Sequence, residues 1–208
     1  MFALPPLTMS GDRVALGPLR SQLAPLYAQW EDDLELQALR ATNVRPHVRL
    51  EGRESDLVER AAQAESEVYF TIYETIYESK APRPIGVSAL KDLDLSLGTA
   101  ELVIHLGERD TWSTGLGTEA TRLTLDYAFH ALGLVNVLAR VVEGNGRALT
   151  SLERAGFRRI GARRGSYRLG RDRRDVVLLD CTIDDHESGA VKTTLERAFA
   201  GKPTIDLG

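Results

Sequence analysis

Apolar residues recur along this chain with two periods, and the switches between them mark out its elements. Short runs rich in β-branched and aromatic residues predict strands over 13–16, 68–76, 84–90, 100–106, 157–160 and 176–183. A nearly continuous apolar run predicts a further strand over 134–142, covered on both faces. Helical spacing appears over 19–40, where Leu23, Leu26, Tyr27, Trp30, Leu34 and Ala38 share a face, with an interruption near Pro25. The stretch Asn43-Val44-Arg45-Pro46 ends that pattern, because a residue before proline avoids helical angles. Ser55 is placed to cap a helix that ends near Ala64. Two more helices are expected over 118–132, closed by Gly133, and over 148–155, closed by Gly156. A last one is expected around 191–199. Helices and antiparallel strands therefore come first, followed by strand, helix, strand, helix and a closing hairpin. That order predicts a single α/β (α+β) domain over 1–183 with an extension over 184–208 that caps the sheet, packs on a second subunit as a homodimer contact, or stays loose.

Composition narrows this picture. At 208 residues the chain can bury one sizeable core, or at most two small ones. It holds no apolar run near the roughly 20 residues of a membrane span. The first residues carry no Lys or Arg ahead of their apolar stretch, and Pro5-Pro6 interrupt it, so no secretory signal is read and a cytoplasmic location is expected. A single cysteine, Cys181, rules out an internal disulfide framework and a cysteine-rich metal site. His47, His130 and His186 lie far apart in sequence, so no metal is expected. The net charge of −4 is uneven: 11 basic and 18 acidic residues precede Trp112, against 15 and 12 from there on. An acidic half beside a mildly basic one suits a cationic ligand and a polyphosphate ligand, or reflects chance placement of surface charge.

The most informative segment is Arg109-Asp-Thr-Trp-Ser-Thr-Gly115-Leu-Gly117-Thr-Glu-Ala120, between a strand end and a helix start. Glycines let backbone N–H groups approach a ligand, and a helix N-terminus adds unpaired donors and partial positive charge, so the segment can cradle phosphate. A Walker loop is excluded because no Gly-Lys-Ser/Thr follows at the required spacing. Gly115-x-Gly117-x-x-Ala120 matches a dinucleotide fingerprint only weakly, since eight residues separate it from the strand. A coenzyme A pyrophosphate loop, and a plain glycine-eased loop, are the other readings.

Several motifs in order carry a resemblance. Trp112-Ser-Thr-Gly-Leu-Gly-Thr-Glu-Ala120 is followed by Leu125-Asp-Tyr-Ala-Phe129, Val141, Asn145 and Leu152-Glu-Arg-Ala-Gly-Phe157, and is preceded by Pro84-Ile-Gly86 and Ala100-Glu-Leu102. Together they resemble the GNAT superfamily of acyltransferases, and within it the RimJ/RimL-like branch. The resemblance implies a mixed, mostly antiparallel sheet with a central splay and helices on both faces. It also implies direct transfer of an acetyl group from acetyl-CoA to a primary amine, on a protein N-terminus or a small amine. On this resemblance the Val103 and Ile104 backbone lies beside the thioester. Trp112, Ser113, Thr114, Gly115, Leu116, Gly117 and Thr118 hold the pyrophosphate, and Asn145 meets the pantetheine amides. Ser113 and Thr114 stand where the branch usually has Gly-Lys, which removes one phosphate-facing cation. Ala148 and Leu152 stand where a hydroxyl would serve the departing thiolate, leaving Thr150 and Ser151 as weak substitutes. That departure keeps a non-catalytic acyl-CoA-binding regulator open as the alternative.

Strand alternation puts Glu101, Val103 and His105 on one face. Two titratable groups there call for a wet groove. Glu101 is the first candidate for general base, or else a carboxylate with a structural partner, and His105 is the second. Tyr69, Tyr73, Tyr77 and Trp30 line an acceptor pocket or are ordinary packing. The arginines between Arg158 and Arg174 form a basic patch, read foremost as a solvated hairpin and otherwise as a contact for the 3′-phosphate of CoA, an acidic acceptor or RNA; neither membrane nor nucleic acid is an expected partner.

Overall fold

The computed structural model describes residues 8–40, 57–75 and 81–186. Eight strands form one sheet: β1 (Met9–Ser10), β2 (Val14–Gly17), β3 (Val68–Glu74), β4 (Arg83–Asp94), β5 (Thr99–Leu106), β6 (Asn136–Val142), β7 (Arg158–Leu169) and β8 (Asp172–Thr182). Their order is β1-β2-β3-β4-β5-β6-β8-β7, and every neighbouring pair is antiparallel except β5 with β6. The expected mixed sheet is present, with helices on both faces. Helices α1 (Ala24–Asp32), α2 (Leu34–Leu39) and α3 (Leu57–Gln63) cover one face, where Tyr27, Trp30, Leu36 and Leu57 pack with Val87 of β4. Helices α4 (Leu116–Asp126) and α5 (Gly146–Arg154) cover the other, with Leu125 and Leu152 buried among strand residues such as Leu102, Val137 and Leu179, and Leu123 among Phe70, Ile72 and Ile85. No helix among the described residues is long and apolar enough to cross a membrane.

Several expectations change. The helical run over 19–40 does not break at Pro25, which sits in the first turn of α1, where its missing N–H is harmless. The break falls at Asp33, whose carboxylate accepts from the N–H groups of Glu35 (2.9 Å) and Leu36 (3.2 Å) and starts α2. Helix α4 begins at Leu116 and runs into a five-residue π-turn, Tyr127–Ala131, before Gly133 at φ +70°. The closing hairpin is far longer than its apolar positions indicated, because the arginine-rich stretch is itself paired strand. Strand β1 lacks the length for a visible period. Ser55 and the helix expected over 191–199 lie outside the described residues, as does Tyr77.

The sheet's decisive feature lies between β5 and β6. The two strands are in register only from Thr99–Leu102 against Asn136–Ala139. Beyond that, β5 stays paired with β4 as far as Leu106, and β6 with β8 as far as Val142, so the strands part while each keeps its outer neighbour. A parted strand pair presents unpaired backbone donors and acceptors inside a sheet, which is a template for an extended ligand.

Candidate active site

The gap between β5 and β6 opens into a groove of about 430 Å³. Its walls are the diverging halves of the two strands, the C-terminal end of α2, the segment leading into α4, and the first turns of α5. The amide of Asn145 holds two of these walls together. Its oxygen caps α5 by accepting from Ala148 N–H (3.2 Å), and its nitrogen donates to the Leu39 carbonyl at the end of α2 (3.2 Å). Tyr167 of β7 fixes the same helix end by donating to the Ala38 carbonyl (3.2 Å). Asn145 lines the groove, and its amide is engaged in building the wall.

Glu101, Val103 and His105 line the groove from the face that carries α1 and α2. Glu101 is 7% exposed and gripped in a fork by Arg140 of β6, Nε to Oε1 and Nη2 to Oε2 both at 2.7 Å. Lys91, opposite Glu101 in the β4–β5 register, reaches Glu67 instead (3.3 Å). The fork crosses from one parting strand to the other. Among the described residues His105 has no such ion pair. Burial pushes its pKa well below the ordinary imidazole value, and the positive charge of Arg40 adds to that shift, so the ring is neutral near pH 7. Ile104 turns the other way and packs against the α4 side of the core.

The loop before α4 is anchored at one end and open at the other. Trp112 donates its indole N–H to the Leu106 carbonyl (3.0 Å), which anchors the loop to the end of β5. Its ring carries the guanidinium of Arg147 at 4.2 Å, and that of Arg109 at 5.4 Å. Ser113 and Gly115 both have positive φ, +63° and +92°. Gly115 serves as N-cap of α4; among the described residues no side chain caps that helix, and nothing lies within 4 Å of where a Cβ on Gly115 would sit. The first-turn N–H groups are therefore turned toward an open approach. Ser113, Gly115, Gly117 and Thr118 line the groove. Thr114 and Leu116 do not: the Thr114 hydroxyl donates to the Thr111 carbonyl (2.6 Å), and Leu116 is buried in the core, so only their backbone could serve a ligand. Glu119 of the same motif accepts from the backbone of Arg13 (2.8 Å) and Val14 (3.0 Å), tying α4 to β2. Thr118 and Ser151 share a hydroxyl contact of 3.1 Å across α4 and α5.

Other candidates resolve differently. Trp30 and Tyr73 are each 2% exposed, and the Trp30 ring packs on Gly107, where a Cβ would lie 2.2 Å from it. These aromatics, with the partly buried Tyr69, belong to the α1 face and do not line the groove. Arg158 pairs with Asp185 and Arg159 with Glu153 (2.7 Å), while Arg163, Arg164, Arg168, Arg171 and Arg173 are exposed along the β7–β8 hairpin. His130 and His186, far apart in sequence, meet beside Asp126, and His186 Nε2 lies 2.7 Å from the Asp126 carboxylate. That contact pins the end of the described chain to α4. Arg40, Arg140 and Arg147 were not singled out from sequence. Arg140 could be found only through the β5–β6 register, and Arg147 and Arg40 only through the meeting of α5, α2 and the loop.

Comparison with known proteins agrees with this architecture. Residues 13–158 match the family described as Acetyltransferase (GNAT) domain. The chain is 24% identical over 155 residues to the Probable N-acetyltransferase YjcK of Bacillus subtilis (strain 168), covering 64% of this chain and 85% of that protein. Among solved structures, spermidine N-acetyltransferase from Vibrio cholerae in complex with CoA and spermine superposes with a TM-score of 0.71 at 16% identity, covering 84% of this chain and 98% of the other.

Proposed function

The chain belongs to the GNAT family of acetyltransferases, and we propose that its β5–β6 groove aligns acetyl-CoA and a primary amine for direct N-acetyl transfer, within the RimJ/RimL-like branch. The observation that carries this is the parting of β5 from β6 next to a phosphate-ready helix N-terminus. The pantetheine arm adds as a strand along Val103–Leu106, and the pyrophosphate meets the Ser113–Thr118 backbone. Arg147, held against Trp112, supplies the cation that Thr114 does not. Holding both reactants in line provides much of the acceleration, and free backbone donors of β5 face the developing oxyanion.

Deprotonation of the attacking ammonium falls to His105 in this reading, with Glu101 as a positioning residue. A base needs a free lone pair facing the nucleophile. Both Glu101 oxygens already accept from Arg140, whereas the His105 ring is neutral and borders the groove. His105→Gln is expected to lower kcat roughly 100-fold with little change in acetyl-CoA affinity, while Glu101→Gln acts mainly on stability. Equal turnover of His105→Gln and wild type would overturn the assignment.

The same histidine gives a stability signature. Its folded pKa lies below the unfolded value of about 6.5, so below that pH the unfolded chain binds more protons than the folded one. Stability from this group is present above pH ~6.5 and is lost as pH falls toward the folded pKa. Thermal melts at pH 7 and pH 5 should show a larger drop for wild type than for His105→Gln; identical drops would contradict it.

A further inference from the structure

We propose that Arg40 is a binding site for a carboxylate carried by one of the two reactants, which makes it a specificity-determining residue for the transfer; this rests on the reading of the groove given above. Arg40 follows directly on α2 and lines the groove together with His105. Its Nε and Nη2 are buried and have no hydrogen-bond partner. No ion pair forms on its side chain among the described residues. Burial lowers its pKa, with the carboxylate of Glu31 acting in the opposite sense. A guanidinium with two buried, unmatched donors is expensive to leave alone, and its planar fork matches a carboxylate through two parallel hydrogen bonds.

The other charges around the groove sharpen the point. Glu101 is matched by Arg140. Glu35 and Asp33 are matched by Arg109, and Glu35 also lies 3.6 Å from Arg147. These three carboxylates are thus already paired, although the N-terminal half of the chain is acidic. A cationic reactant would find them occupied, whereas an anionic one would find an unmatched cation. Arg147 and Arg154 border the groove from α5, across from the loop into α4, and are placed for the phosphates of coenzyme A. Arg40 lies on the α2 side and borders the same groove as His105. A carboxylate at Arg40 would therefore lie in the groove that holds the reacting centre. Its source is either the amine acceptor, as in an amino acid, or the acyl chain, as in a dicarboxylic acyl thioester.

Equilibrium binding separates the sources without requiring turnover. One arm titrates CoA-loaded protein with phenylalanine against phenylalaninamide; the other titrates free protein with succinyl-CoA against butyryl-CoA. The carboxylate should improve binding roughly 10- to 100-fold in one arm. That preference should vanish in Arg40→Gln and survive partly in Arg40→Lys, with acetyl-CoA affinity unchanged in both. A melting temperature within a few degrees of wild type shows that Arg40→Gln is folded. The proposal is overturned if wild type shows no carboxylate preference in either arm, or if Arg40→Gln weakens acetyl-CoA and all partners equally. If the carboxylate preference is present but acetyl transfer is absent, the proposed function fails and the Arg40 site stands.

Discussion

Gly115→Glu should weaken acetyl-CoA binding by about 100-fold or more, measured by calorimetric titration. Two effects act in the same direction. At φ +92° a side chain is strained by about 1–3 kcal/mol, so the loop either bears the strain or moves its N–H groups away from the ligand. Among the described residues nothing lies within 4 Å of a Cβ at this position, so a side chain has room to start into the open approach where phosphate is expected. Like charges brought together in a partly desolvated groove repel strongly. Gly115→Ala carries the strain without the charge and should show a smaller loss, so the pair of variants separates the two causes. Unchanged affinity in Gly115→Glu would mean that the pyrophosphate lies elsewhere.

The second large effect concerns the fork across the splay. Arg140→Met leaves the Glu101 carboxylate, 7% exposed, without its counter-charge. Breaking a fully buried pair typically destabilises by about 3–5 kcal/mol; with Arg140 itself about a third exposed, roughly 2–3 kcal/mol is expected. For a chain of this size that lowers the melting temperature by roughly 5–10 °C. Removing both charges, as Glu101→Leu with Arg140→Met, should recover most of the loss, because two apolar side chains of similar volume leave no buried charge unmatched. A double variant as unstable as the single one would show that the fork does more than neutralise Glu101.

Much of this was legible in the residues, and the gaps have physical causes. Strands β3, β5 and β6 stand out because their apolar positions alternate or run unbroken over a full strand length. The loop into α4 could be read because positive-φ glycine and a helix start leave a local signature, and Gly115 is used that way. Long-range partners leave none. Nothing local links Glu101 to Arg140, 39 positions away, so the sequence supported a base and a structural carboxylate equally well. Arg40 ends a helical run and resembles any exposed arginine until α2 is seen to lean over the groove. The β7–β8 hairpin was underestimated because its polar, arginine-rich half is exposed, where pairing needs no apolar period.

The measurement that bears most directly on the account is release of free CoA thiol from acetyl-CoA across a panel of primary amines, with the mass of each amine followed in parallel. The account predicts thiol released only when a suitable amine is present, matched mole for mole by acetylated amine, with the protein itself left unacetylated. Tight acetyl-CoA binding without amine-dependent thiol release anywhere in the panel would contradict it and leave an acyl-CoA-binding regulator in its place.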